Sequence, residues 1–445
     1  MKIGIIANGY PPSAYGGVEG YSYQIAVELK KRDNDVFVIY RESATNYQDY
    51  KVLKRIQDNV RVYGIVNDFK NIKRFENFYV NEFIDKIFED ILIQENPDIL
   101  YFNHLIGLSV NLPNLAALHK IPFIFNVHDY WPICQRINLI NNKSQVCYGP
   151  KQGGNCYNCL MGNTQSNNLR YQTLLLIKKV LSYSTRMKIR KFFKKAPAAF
   201  LLPETPNVLK NRYDMFKEAL SKSRVILTPS AFVRKTLIEN GYPDQKIRVF
   251  PLGIDIGNSN NNEQLSRPIN FGFIGTIIPI KGVDLLIKAF SEISNEDIRL
   301  QIYGRMDIDK SYAEKIKRLV EKDHRIFIKG PFSVLERDKI YQSIDVIVVP
   351  SIWNETYSLV AREAMARGIP VIASDNGALG ELIQPYKNGL LFSKGDVDGL
   401  RTALICLIED NGLFIKIKNH IKSMTFLSIP QHVDLLQELF VSTID

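Results

Sequence analysis

Short, largely apolar runs recur along this chain at helix-length intervals, and they restrict it to folds with buried parallel strands. Ile3 to Ala7, Val36 to Tyr40, Ile99 to Phe102 and Phe123 to Val127 are compact runs, not alternating ones. A strand of that kind is covered on both faces, as in a parallel sheet flanked by helices. Helical patterns fill the intervals, roughly Glu19 to Lys31 and Val80 to Gln94. Strand, helix and strand in succession give right-handed βαβ crossovers. Val225 to Thr228 and Ile247 to Phe250 read as the last strands of this half.

The pattern then stops and restarts. Gly257 to Arg267 (GNSNNNEQLSR) has almost nothing to bury and reads as a linker. Beyond it, Phe271 to Ile274, Arg299 to Tyr303, Ile326 to Ile328, Val346 to Val349 and Val371 to Ala373 are strand candidates with helices between them. The expectation is an α/β protein of two Rossmann-like, doubly wound domains facing across a cleft. The first spans residues 1–256, a linker 257–269 and the second domain 270–429. A last helix, Gln431 to Phe440 within 430–445, is expected to pack back on the first domain. Residues 134–204 hold no clean βα repeat and read as an insert in the first domain. A length of 445 residues suits two such domains.

Hydrophobic residues make up 45% and charged residues 23%, as in a well-cored globular chain. No run of about 18 apolar residues exists to span a bilayer. The start, MKIGIIANGYPP, lacks the apolar core and cleavage site of a signal peptide and reads as a first strand. The expected location is therefore the cytoplasm. The net charge of +11 favours anionic partners: nucleotide-sugars, anionic lipid surfaces or nucleic acid. Eight Lys and Arg lie between Lys178 and Lys195 with no acid among them, interleaved with apolar residues. Such a segment suits an anionic membrane face at the inner side, and equally a solvated basic helix. No finger, RRM-like or helix-turn-helix pattern accompanies the charge, so nucleic acid is not expected as a partner.

The sharpest chemical signal is VVPSIWNETYSLVAREAMARGIPVIAS, Val348 to Ser374. A strand ends at Pro350, a loop carries Glu355, and a helix starting near Ser358 and Leu359 carries Glu363. Loops after strand C-terminal ends line the crevice of an open parallel sheet, and the helix N-terminus suits a phosphate. Carboxylates accept several hydrogen bonds, so Glu355 suits sugar hydroxyls and Glu363 a ribose diol. Two surface glutamates on an amphipathic helix would give the same pattern. His128 and Asp129 follow the Phe123 to Val127 strand, and His104 follows Ile99 to Phe102. His128 is the stronger candidate of the two histidines. The adjacency of Asp129 to His128 does not by itself make a relay.

The stretch from Glu355 to Glu363 resembles the Glu-x7-Glu signature of family 4 glycosyltransferases, retaining enzymes of the GT-B fold. The likeness continues through GIPVIASDNGALGELI and NGLLF, Gly368 to Phe392. Upstream, FGFIGTIIPIKGVDLLIKAF (Phe271 to Phe290), PLGIDI (Pro251 to Ile256), VILTPSAFVRK (Val225 to Lys235) and GYPPSAYGGVEGY (Gly9 to Tyr21) resemble the family's other segments in order. The resemblance implies that Glu355 binds donor sugar hydroxyls, Glu363 the ribose and Lys281 the diphosphate. It implies further that Gly16 and Gly17 admit backbone amides to the diphosphate or acceptor, and that His128 lies near the reacting sugar. Gly275, Ser358 and Leu359 complete the implied donor site, with no metal required for catalysis. One departure stands out: Thr276 occupies the place of the family's usual Arg after the glycine. Arg305 is the candidate to supply the missing cation. The implied donor is a nucleoside-diphosphate-sugar, UDP- or GDP-linked, and the acceptor a saccharide or lipid-linked saccharide. Polysaccharide or lipopolysaccharide assembly is the pathway that suits a basic protein acting at a membrane.

Cys134, Cys147, Cys156 and Cys159 fall within 26 residues, ending in a Cys-x2-Cys pair. They could supply four thiolates to a structural zinc ion, form two disulfides, or remain free buried thiols. Cys406, in ALICLI, reads as core packing. Three other functions compete with sugar transfer: a GT-B sugar-nucleotide epimerase, an inactive homologue, and a non-catalytic basic protein that binds membranes or partners.

Overall fold

In the computed structural model, β1 (Lys2–Ala7) buries Ile3, Ile5, Ile6 and Ala7 completely, as a strand covered on both faces must. The structure describes residues 1–14, 16–162, 203, 205–258, 267–333 and 336–444. Two compact units emerge. One holds Met1–Thr228, Thr236–Arg248 and the residues from Leu436 onward; the other holds Pro229–Lys235 and Val249–Leu435.

The first unit adds β2 (Asp35–Glu42), β3 (Val52–Gln57), β4 (Val60–Val66), β5 (Ile99–Phe102), β6 (Phe123–Asn126), β7 (Val225–Thr228) and β8 (Ile247–Val249). Among the described residues these form one eight-stranded sheet in the order β3-β4-β2-β1-β5-β6-β7-β8. β1 pairs in parallel with β2 on one side and β5 on the other. Strand order therefore reverses at β1 and β5, and the loops leaving their C-terminal ends diverge to open a crevice. β3 and β4, which the sequence reading did not anticipate, form an antiparallel hairpin. Its two-residue turn is Asp58-Asn59, both at positive φ (49° and 62°), the conformation that suits the twist of a tight hairpin.

The helix after β1, Gly17–Lys31, buries Tyr21, Ser22, Ile25, Ala26 and Leu29 along one stripe. A further helix, Glu82–Glu95, starts at Asn81, whose side chain accepts from the N–H groups of Phe83 and Ile84. In the part of the last helix, Ile429–Ile444, that belongs to this unit from Leu436 on, Phe440 stands edge-on to Tyr101 with ring centroids 5.5 Å apart.

The described part of the insert is loop-rich. A bridge between Ile140 and Val146 closes a small antiparallel loop, and Gly154–Gly162 is helical. The Cys134, Cys147, Cys156 and Cys159 side chains all line one cavity of about 20 Å³. Burial pushes the Cys156 thiol up to about 12 and raises that of Cys134 as well. The basic segment from Lys178 to Lys195 lies outside the described residues.

The second unit contains β9 (Ile269–Ile274), β10 (Ile298–Tyr303), β11 (Ile326–Gly330), β12 (Val346–Val349), β13 (Val371–Asp375) and β14 (Gly389–Ser393). All pair in parallel in the order β11-β10-β9-β12-β13-β14. The chain winds outward from β9 to β11, then returns to β12 and winds the other way. The reversal again leaves a crevice, here beyond the C-terminal ends of β9 and β12. Phe271, Leu300, Val346, Ile347, Val371 and Ile372 are almost wholly buried in its core. Each such side chain contributes about 1.5–3 kcal/mol by leaving water. Cys406 is only partly buried, packed against this core. No described helix is long and apolar enough to cross a membrane.

Candidate active site

The two loops at the second unit's reversal carry Lys281 and Glu355. After β9 the chain passes Gly275 and Thr276, makes a 3₁₀ turn over Pro279–Lys281, and enters the helix Val283–Ser291. Gly282 joins turn to helix at φ +67°, where a Cβ would lie 2.0 Å from the Pro350 carbonyl oxygen. That close approach brings the β9 loop against the β12 loop, and the Ile352 N–H donates to the Ile280 carbonyl at 2.9 Å. A second pinch lies beside it: Gly304 has φ +147°, and a Cβ there would meet the Gly275 carbonyl at 1.8 Å.

With the loops so fixed, Lys281 Nζ donates to Glu355 Oε1 at 2.6 Å. The same oxygen accepts from Ser351 Oγ at 2.6 Å and Trp353 Nε1 at 2.8 Å. Lys281 also stands 5.0 Å from the Trp353 ring centre, a cation–π contact. Asn376 holds the loop from below: its Nδ2 donates to the Ser351 carbonyl at 2.6 Å, and its Oδ1 accepts from Glu355 N at 3.4 Å. Glu355 is buried while Lys281 keeps 25% exposure, so the cation remains within reach of a ligand.

Glu363 belongs to a separate cluster on the helix Leu359–Ala366. Arg337 Nη1 donates to Glu363 Oε1 at 3.2 Å, and Tyr341 OH to Oε2 at 3.0 Å. Arg337 and Arg367 both reach Asp255, and Arg367 pairs with Asp338 at 2.6 Å. Burial is the main influence on Glu363 and raises its carboxyl above the usual value, against the pull of Arg337, Arg367 and Tyr341. Ser358, just before this helix, sits at φ 58°. The first N–H groups of the helix, from Leu359 on, have no acceptor within it.

Arg305 does not join Lys281. Its guanidinium makes two bonds to Asp307, at 3.0 and 2.8 Å, and is half exposed. Its backbone meets the loop after β9, the Arg305 carbonyl accepting from Ile277 N at 2.9 Å. Thr276 is partly exposed in the same loop, and its carbonyl accepts from Ile278 N at 3.1 Å.

In the first unit the candidates also gather where strand order reverses. Gly16 caps the helix Gly17–Lys31, and a Cβ at Gly16 would strike the Glu19 carboxylate at 2.1 Å. Glu19 in turn accepts from Asn8 Nδ2 at 2.8 Å. His128 Nε2 donates to Asn103 Oδ1 at 3.1 Å, and its ring lies 4.9 Å from that of Tyr21. Asp129 serves the other histidine. Its Oδ2 lies 3.0 Å from His104 Nε2, and its Oδ1 accepts from Trp131 N at 2.8 Å. The Ile106 N–H donates to His104 Nδ1 at 3.0 Å, so Nε2 carries the proton and donates to Asp129. Both histidines, Asn103, Asn126 and Asp129 line one small cavity of about 10 Å³.

Sequence reasoning singled out Glu355, Glu363, Lys281 and His128 but missed the groups that hold them: Ser351, Trp353, Asn376, Arg337, Tyr341 and Asn103. Ser351, Trp353 and Asn376 lie within or just beyond the stretch that carries the two glutamates. Arg337, Tyr341 and Asn103 had no local signal.

Residues 268–410 match the family model described as Glycosyl transferases group 1, and residues 15–154 that described as Glycosyltransferase Family 4. An uncharacterized glycosyltransferase of Methanocaldococcus jannaschii is 34% identical over 212 residues, which cover 46% of this chain and 56% of that protein. A D-inositol 3-phosphate glycosyltransferase of Corynebacterium glutamicum is 28% identical over 179 residues, 38% of this chain and 43% of that one. The matched region thus spans about half the length of these curated relatives. Among solved structures, Anabaena Alr3699/HepE in complex with UDP and glucose superposes with a TM-score of 0.66 at 14% identity. That match covers 99% of this chain and 100% of the other, a likeness of fold.

Proposed function

Since the chain belongs to the family 4 glycosyltransferases and has their GT-B fold, we propose that it moves a sugar from a nucleoside-diphosphate-sugar to a hydroxyl group of a saccharide or lipid-linked saccharide, with retention at the anomeric carbon. The observation that carries this reading is the Lys281–Glu355 pair at the reversal point of the second sheet. A cation and a carboxylate there suit the two ends of such a donor, its diphosphate and its sugar hydroxyls.

In this reading the bond between the anomeric carbon and the diphosphate oxygen breaks, and the nucleoside diphosphate leaves with the bonding pair. The acceptor oxygen forms the new bond and gives up its proton. Lys281 leaves Glu355 for the phosphate oxygens, and the N–H groups at the start of the helix Leu359–Ala366 add positive potential. Glu355 accepts from the sugar hydroxyls and Glu363 from the ribose diol, each an acceptor-only group when ionised. Gly275 and Thr276 lie in the loop that Gly282 and Gly304 hold in place, and Gly16 and Gly17 would admit backbone amides to the diphosphate or acceptor. His128 stands near the reacting sugar. The charge at the leaving group comes from protein cations and helix N–H groups, so the step needs no metal. Arg305, paired with Asp307 as it stands, would have to leave that carboxylate to add to this charge.

The donor is UDP- or GDP-linked in this proposal. The acceptor belongs to cell-surface polysaccharide or lipopolysaccharide assembly, with the protein in the cytoplasm and resting on the inner membrane face through residues 178–195. The net charge of +11 supports that placement. Sedimentation with anionic vesicles, before and after neutralising Lys188, Arg190, Lys191, Lys194 and Lys195, tests it; unchanged binding removes the segment's role.

Saturation-transfer NMR against UDP-, GDP-, ADP- and CMP-sugars, with Glu363→Ala alongside, tests the central reading. One nucleotide-sugar should bind clearly and lose affinity in the variant. A folded protein that binds none of them would overturn it.

A further inference from the structure

The four cysteines of the insert reach one cavity from three separate pieces of chain. Cys134 ends a turn in which its N–H donates to the Tyr130 carbonyl at 2.7 Å. Cys147 closes the bridged loop, its N–H donating to the Leu139 carbonyl at 2.7 Å. Cys156 and Cys159, three apart on the helix Gly154–Gly162, share a face. All four line the same cavity, with room for a single small ion. All five cysteines of the chain are free thiols.

A second feature bears on what this cavity holds. Arg212 is 3% exposed, and its guanidinium packs against the rings of Trp131 (4.9 Å) and Phe216 (4.6 Å), which stand edge-on to each other. Its Nη2 donates to the Trp131 carbonyl at 2.6 Å, and its buried Nε finds no acceptor among the described residues. Burial holds its guanidinium below the usual value, and Cys134 and Cys156 are among the ionisable groups that act on it. A buried cation is costly without an anion, and thiolates at this cavity would supply one.

We propose that Cys134, Cys147, Cys156 and Cys159 bind one zinc ion as a tetrahedral tetrathiolate, with Arg212 as its buried counter-cation. Zinc displaces the four thiol protons and nothing is oxidised; the site then carries a net charge of −2, which Arg212 partly offsets. As they stand, no three His, Cys, Asp or Glu side chains among the described residues form an ion-holding array. The proposed form requires the four side chains to turn toward the cavity, Cys147 Sγ leaving the Gly149 carbonyl, until each sulfur lies about 2.3 Å from one ion. The ion staples a loop-rich segment with little apolar core of its own. The inference does not depend on the identity of the sugar donor.

The test uses the full chain, purified under reducing conditions. Elemental analysis should find about one zinc per chain, and replacement by Co²⁺ should give the sulfur-to-cobalt charge-transfer and visible bands of a tetrahedral tetrathiolate. Cys159→Ser should lose stoichiometric zinc, and Arg212→Lys should weaken its binding by about 10–100-fold. If either variant fails to fold, the cobalt spectrum of the unaltered chain decides alone. Absence of cobalt bands together with absence of zinc overturns the proposal. So does zinc retained in Cys159→Ser, an intact mass showing two disulfides, or iron in place of zinc.

Discussion

Lys281 Nζ and Glu355 Oε1, 74 residues apart in sequence, lie 2.6 Å apart where the second sheet reverses its winding. The pair spends the cation on a carboxylate until something more anionic arrives. Lys281→Met should lower kcat by about 10²–10³-fold, the usual loss of a single donor to a developing anion. It should also lower the melting temperature, because Glu355 stays buried with its cation gone. Lys281→Arg should restore stability better than turnover. Steady-state kinetics and a thermal melt on each variant check both expectations.

The Glu363 carboxyl, raised by burial, needs its charge to accept from a ribose diol. As pH falls through its elevated pKa the group protonates, and donor affinity should weaken above the pH at which an ordinary Glu, near 4.5, would titrate. Glu363→Gln should bind weakly at every pH and lose that part of the profile. Donor titrations over falling pH, with Glu363→Gln alongside, would show no earlier loss of affinity in the wild type if the assignment is wrong.

His104 should be an Nε2–H tautomer at neutral pH, because Ile106 N–H occupies Nδ1 and Asp129 accepts from Nε2. Its ¹⁵N shifts report this directly. Asp129→Ala should shift the tautomer balance. It should also cost about 1–3 kcal/mol, since a buried ring N–H and the Trp131 N–H both lose an acceptor.

His432 is fully buried against Phe250 and has its pKa pulled down to about 4 by burial. The unfolded chain takes up this proton near pH 6.5, the folded chain only near 4. The contribution is therefore complete above 6.5 and lost progressively down to about 4, a total of about 3 kcal/mol. Denaturant titrations across that window should show the slope, and His432→Gln should lack this share of it.

Most strands were legible because runs such as Ile3 to Ala7 admit one burial state only. The β3–β4 hairpin was not, because β3 is an edge strand: Ile56 is 75% exposed beside Lys54, Arg55 and Gln57, so no apolar face marks it. The Asp58-Asn59 turn was the available clue. At the site, Glu355 and Glu363 were found through their spacing on one loop and helix. The Asp129–His104 bond was hidden because it joins loops after β5 and β6, and only the pairing of those strands makes the loops neighbours. Arg305 looked free in sequence because its acceptor, Asp307, lies two positions on in an exposed loop.

The two glycine pinches have a bearing on engineering. Positions 282 and 304 leave no room for a side chain, since any Cβ there meets a carbonyl oxygen at 2.0 or 1.8 Å. Thr276, in the loop those pinches hold, is partly open to solvent and meets neither constraint. A randomised library aimed at changing donor preference should therefore keep both glycines invariant and place its diversity at 276. Deep sequencing of the survivors should show glycine alone at 282 and 304 and varied residues at 276.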